Sequence, residues 1–197
     1  MQPSTADQST TRPAPETDGE DLLLRLTREH RDAAGLVLAL QRRTGSDAGD
    51  SVATARELIT DLVRHSVSER IHLLPLVRRF VPEGDAAADR IDAGRQELEY
   101  QLQQLERLPI NGDFWVHLEA VDALVAQHAG ELESHVFPVL AAACPAEELA
   151  DAGRRAARTA RTAPTHPHPH TPREGAALAA ASPGTGLVDK VRDLFRS

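Results

Sequence analysis

The stretch LVRHSVSERIHLLPLVRRFVPEG, residues 62–84, carries an apolar stripe at helical spacing that two ionisable side chains interrupt. With Leu58 just upstream, the face reads Leu58, Leu62, His65, Glu69, Leu73, Leu76, Phe80. Positions three, four and seven apart share a helix face, so His65 and Glu69 stand where leucine belongs. His72 lies within about 20° of His65 on an ideal helix. Val81-Pro82-Glu83-Gly84 is a stop signal. Pro75 predicts a kink, because proline removes one internal hydrogen bond and crowds the preceding turn.

Working outward, the pattern predicts four long helices. The first runs from about Glu20 to Arg43, ending in TGSDAGD, and the second from about Ser51 to Phe80. The third runs from about Asp85 to Leu108 and stops at Pro109-Ile110-Asn111-Gly112; the fourth runs from about Asp113 to Ala143. A shorter helix, about Ala146 to Ala160, is expected to lean on them. Long segments joined by short loops predict an all-α fold, an antiparallel up-down-up-down four-helix bundle. The apolar content of 41%, mostly Ala, Leu and Val with only 3% aromatics, suits helix-on-helix packing.

The bundle is assigned to residues 19–160. Residues 1–18 are expected to be a disordered N-terminal segment. Residues 161–197 read as a flexible Pro/His-rich tail, too dense in Pro and Gly from about Thr162 to pack. It ends in a short amphipathic helix with Leu187, Val188, Val191, Leu194 and Phe195 on one face. That tail is the expected route to any protein partner. The N-terminus shows no secretory signal pattern, no apolar run approaches the ~20 residues of a membrane span, and Cys144 is alone. The expectation is a cytoplasmic protein. A net charge of −8 without a basic stripe argues against nucleic acid.

The same kind of interruption recurs in every long helix. His30 is flanked by Leu23, Leu26, Ala33, Ala34 and Val37. The third stripe reads Ile91, Arg95, Leu98, Glu99, Leu102, Leu105, and the fourth Val121, Leu124, Val125, His128, Leu132, Val136, Val139. His65 stands ten residues before Pro75 as His128 does before Pro138, and His72 and His135 follow at matching offsets of seven. Two helices with one layout suggest two halves of one site. One inward histidine is commonly a core residue bonded to a carbonyl. Four helices each supplying an inward ionisable group need a shared partner, since burying such groups unpaired costs several kcal/mol apiece. A cation is one solution: imidazole and carboxylate suit iron, manganese or zinc. A metal-free core in which Arg95 pairs with Glu69 or Glu99 is the other.

Over roughly residues 20–145 the sequence resembles the hemerythrin HHE cation-binding family. Glu29-His30 resembles its first-helix motif, residues 62–84 its second-helix signature, and QHAGELESHVFPVL (127–140) its fourth. The ending, ACPAEEL and later SPGTGLVDKVRDLF, is similar to an actinobacterial subgroup. The resemblance implies a four-helix bundle around a di-iron or other metal centre, in proteins that carry oxygen or sense oxygen, iron or redox state. It implies metal ligands at His30, His65, Glu69, Glu99 and His128, with His72, Glu133 and His135 as further candidates. The family pattern departs at two places: Arg95 stands where a histidine is expected, and Leu132 where a carboxylate is expected. A permanent guanidinium cation disfavours a complete di-iron carrier.

Three states follow: one metal ion held by His30, His65, Glu69, His128 and Glu99; a site rebuilt around His72 and His135; or no metal, with Arg95 bonding Glu69 and Glu99. The preferred reading is a metal-binding sensor or buffer with a partly degenerate site, more a binder than an enzyme. A metal-free interaction module is the alternative, and a peroxide- or oxygen-activating enzyme ranks last. His166-Pro-His168-Pro-His170 reads as a solvated linker, Cys144 as a small apolar packer, and Phe114 and Trp115 as caps of the bundle.

Overall fold

Asp21 opens the first helix by accepting from the backbone N–H of Leu24 at 3.0 Å, which satisfies one donor that a helix start leaves over. The computed structural model describes residues 20–42 and 48–167, and every regular element among them is helical. These are α1 (Leu22–Arg42), α2 (Ala48–Ser68), α3 (Leu74–Phe80), α4 (Gly84–Arg107), α5 (Gly112–Glu131), α6 (Phe137–Ala143) and α7 (Ala146–Thr162). A π-helical turn, Glu69–Leu73, joins α2 to α3, and a second, Leu132–Val136, joins α5 to α6. Helix α1 packs on α2, α2 on α4, α4 on α5, and α5 on α1, which closes a ring of helices around one interior. Among the described residues no helix is long and apolar enough to cross a membrane.

The π turns are how the chain accommodates its two prolines. Pro75 and Pro138 sit in the first turns of α3 and α6, where a missing N–H costs little. Just ahead of them the ladder slips by one residue: the N–H of Leu74 reaches the carbonyl of Glu69, and that of Phe137 reaches Leu132. The internal similarity seen in sequence is therefore a repeated backbone device. Such π turns within helices cluster at functional positions.

Apolar side chains form two separate clusters. One gathers Leu22, Leu26, Leu73, Val77, Ile91, Leu132, Phe137 and Leu140 with the inner face of α7. The other gathers Val37, Leu58, Leu62, Leu98, Leu102, Phe114, Leu118 and Val125. Along each long helix the changeover falls at an ionisable residue: His30 on α1, His65 and Glu69 on the α2 run, Arg95 on α4, His128 on α5. A polar layer thus divides the core.

Helix α7 lies on α1, α2 and the first π turn through Leu149, Ala152, Gly153 and Ala156. The contact is backbone-close: a Cβ on Gly153 would collide with the carbonyl oxygen of Glu20. The chain after α7 departs from the sequence expectation. Residues 163–167 are packed rather than free: Ala163 and Thr165 are buried, Thr60 Oγ1 donates to the Thr165 carbonyl at 3.2 Å, and His166 Nδ1 meets Glu106 Oε1. Proline content barred a helix there but not a packed, bent segment held by α2 and α4. The N-terminal segment 1–18, the end of the tail with its amphipathic helix, and His168 and His170 lie outside the described residues.

Candidate metal centre

The polar layer is built from helix interiors, where packing fixes side-chain directions. His30, His65, Glu69 and His128 each present a potential ligand atom there, and those four atoms lie within 4.8 Å of one another. Glu69 is 0% exposed, and His30 and His65 are also buried. The imidazole rings meet edge to face, with centroids 4.9 Å apart for His30 and His65 and 5.6 Å for His30 and His128.

Two of the imidazoles are oriented from behind by carboxylates. His30 Nδ1 donates to Glu133 Oε1 at 2.8 Å, and His65 Nδ1 donates to Glu29 Oε2 at 2.9 Å. An ionised carboxylate only accepts, so each ring carries a hydrogen on Nδ1 and turns its Nε2 inward. Both inward atoms, His30 Nε2 and His65 Nε2, are buried without a hydrogen-bond partner. Carboxylate behind, imidazole between and lone pair toward a cation is the usual outer support of a metal-binding histidine. Glu69 Oε1 accepts from His128 Nε2 at 2.8 Å and lies 3.2 Å from His65 Nε2.

Charge distribution favours a cation at this point. Burial opposes charge on His65, but Glu69 and Glu29 on either side outweigh it and push its pKa up to about 10. Burial also works against the charged form of Glu69, yet His128 and His65 hold its carboxyl well below the usual range. His30 goes the other way, lowered by burial and then by neighbouring His65.

Arg95 enters the layer instead of swinging to solvent. It is 1% exposed, with Nε 3.2 Å from Glu69 Oε2 and Nη1 3.2 Å from Asp92 Oδ1. Burial lowers its pKa, and Glu69, Glu99 and Asp92 oppose that loss of charge. Glu99, expected among the ligands, is not in the cluster. It faces Arg70 Nη2 at 3.2 Å and Arg95 Nη2 at 3.8 Å. Two guanidiniums compete for its charge, so it is committed elsewhere.

The structure does not bring His72 and His135 together. His72 is buried, but its Nε2 bonds Thr159 Oγ1 of α7 at 2.8 Å, while His135 is exposed. Both lie in π turns, where more residues per turn carry a side chain off the face that the α-helical period assigns it. Glu133 reaches the centre indirectly, through His30.

Sequence reasoning passed over three contributors. Glu29 was noticed only as part of a motif with His30, and its partner is His65. Arg70 and Asp92 went unnoticed, although Asp92 stands one turn before Arg95 and Arg70 directly follows Glu69.

Over 155 residues the chain is 25% identical to an uncharacterized hemerythrin-like protein of Schizosaccharomyces pombe, covering 78% of this chain and 76% of that one. No family model matches the chain, and no solved structure does. The relative and the histidine–glutamate cluster together support a hemerythrin-like, metal-binding protein.

Proposed function

We propose that this chain is a hemerythrin-like protein holding one transition-metal ion on His30, His65, Glu69 and His128, and that it serves as a sensor or buffer of iron, oxygen or redox state rather than as an enzyme. The observation that carries this reading is the convergence of four potential ligand atoms within 4.8 Å of one another, among them the buried His30 Nε2, which has no hydrogen-bond partner, and a buried carboxylate. Leaving the His30 acceptor dry and unpaired costs about 1–3 kcal/mol, and a bound cation removes that cost.

In this reading Glu29 and Glu133 fix the two ring tautomers, Glu69 supplies negative charge through Oε1, and the two apolar clusters keep water from the layer. Three imidazoles and one carboxylate suit iron, with manganese or zinc compatible with the same donors. A bound iron would supply the redox change that a sensor reads. The up-down-up-down course belongs to the same proposal and is supported by the ring order of the helices and their short connections. So does a cytoplasmic setting, in which Cys144 stays reduced.

The test is metal content of the purified full chain against His65→Ala and Glu69→Ala. Loss of bound metal in both variants is expected; equal content in all three rejects the reading.

One observation favours a second reading, the metal-free interaction module: Arg95 is buried beside Glu69 and supplies that carboxylate with a counter-charge. It predicts a melting temperature indifferent to chelator. A ligand bound only by the folded state raises stability, so a clear drop on chelation rejects this alternative.

A further inference from the structure

Next to the histidines, three carboxylates converge on one guanidinium. Arg95 presents Nε to Glu69 Oε2 at 3.2 Å, Nη1 to Asp92 Oδ1 at 3.2 Å and Nη2 to Glu99 Oε1 at 3.8 Å. Its bonding is not that of a fork gripping a carboxylate. Nη1 donates to Asp92, but Nε and Nη2 make no hydrogen bond, and neither does Glu69 Oε2. Toward Glu69 and Glu99 the guanidinium acts through its charge, which a metal ion supplies equally well.

The surrounding carboxylates are held in place independently of Arg95. Arg70 approaches from the far side, with Nε 3.0 Å from Asp92 Oδ1 and Nη2 3.2 Å from Glu99 Oε1. Glu69 belongs to both groups, with Oε1 among the histidines and Oε2 toward Arg95. The layer therefore has the form of two adjacent cation positions sharing one carboxylate.

We propose that Arg95 is a built-in second cation, whose guanidinium fills a position formed by Glu69, Asp92 and Glu99 and thereby limits the centre to one metal ion. This rests on the metal reading of the histidine cluster. Removing the guanidinium exposes an all-oxygen donor set, which suits a hard divalent cation such as Mn²⁺. The new ion would share Glu69 with the one on the histidines.

The experiment loads the full chain with Mn²⁺, clears excess by gel filtration, and counts bound ions by elemental analysis while recording the electron paramagnetic resonance spectrum. Wild type, Arg95→Lys, Arg95→Ala, Arg95→Gln and His65→Ala are compared, with folding followed by circular dichroism. One isolated ion is expected in wild type and in Arg95→Lys, which keeps the charge. Two magnetically coupled ions are expected in Arg95→Ala and Arg95→Gln. The inference is overturned if either neutral variant is folded yet holds a single ion, or if wild type already holds two. Should both neutral variants unfold in chelator, Mn²⁺ restores their helicity if the inference holds and does not if it fails. A wild type that binds no more metal than His65→Ala removes the underlying metal reading, a result distinct from those above.

Discussion

Glu29 stands on α1 directly before His30, yet its carboxylate serves a different helix: His65 Nδ1 donates to Glu29 Oε2 at 2.9 Å. Arg25 Nε, one turn earlier on α1, holds the other oxygen of Glu29 at 2.9 Å. The chain Arg25–Glu29–His65 fixes the ring that points Nε2 into the centre. Carboxylates behind metal-binding histidines typically contribute 10–100-fold to affinity. Glu29→Gln is therefore expected to weaken metal binding by about one to two orders of magnitude while leaving the helical circular dichroism signal in place. Competition with a chromophoric chelator measures it, and an unchanged affinity would sever Glu29 from the site.

Breaking the buried pair should cost more than replacing it. Glu69→Leu alone removes from Arg95 the fully buried one of its three carboxylates while Asp92 and Glu99 remain, a loss expected to fall at or below the low end of the about 3–5 kcal/mol that breaking a buried pair costs. The double change Glu69→Leu with Arg95→Met fills the same space with apolar atoms and is expected to recover most of that, because well-packed hydrophobic replacements of buried ion pairs are often neutral or stabilising. Urea unfolding of wild type, each single variant and the double variant, all in chelator, gives the coupling. A double variant as unstable as the worse single would refute this account.

His72 supplies a pH dependence separate from the metal site. Burial, then the positive charges of Arg155, Arg158 and Arg25, lower its pKa from 6.5 to about 4. Because the folded value is depressed, the unfolded chain takes up the proton first. The stability contribution is whole above the ordinary histidine range and is lost as pH falls from about 6.5 toward about 4. The full span corresponds to about 3 kcal/mol. His72→Gln is expected to flatten the fall in unfolding free energy between those limits, and parallel curves for the two proteins would count against it.

Gly153 controls the seating of α7. Even an alanine there would drive its Cβ into the Glu20 carbonyl oxygen, and overpacking of this kind costs about 1–3 kcal/mol. Gly153→Ala should lower the melting temperature and speed proteolysis between α6 and α7. Gly130, whose Cβ would meet nothing within 4 Å, is the control that alanine should leave unharmed.

Much of this architecture is legible in the residue order, because the α-helical period maps sequence onto a helix face with little ambiguity. Leu58, Leu62, Leu73 and Leu76 mark one inner face, Ile91, Leu98, Leu102 and Leu105 another, and all eight are buried. His30, His65, Glu69, Arg95 and His128 interrupt such faces, so their convergence on one layer follows from pattern alone. Stop signals such as Pro82-Glu83-Gly84 and Pro109–Gly112 place helix ends to within a residue or two.

What only the tertiary structure decided lies below the resolution of a face. Periodicity does not say which oxygen of Glu69 turns to the histidines and which to Arg95, nor that Arg70 would draw Glu99 out of the ligand set; those depend on neighbours 26 and 29 positions away in the chain. Nor does it foresee the π turns, in which a seven-residue offset no longer returns to the same face, so that His72 ends against Thr159 and His135 at the surface. The physical reason is common to both. Face assignment is a local property of one helix, whereas the partner of a buried charge is set by whichever opposite charges the other helices bring within a few ångströms.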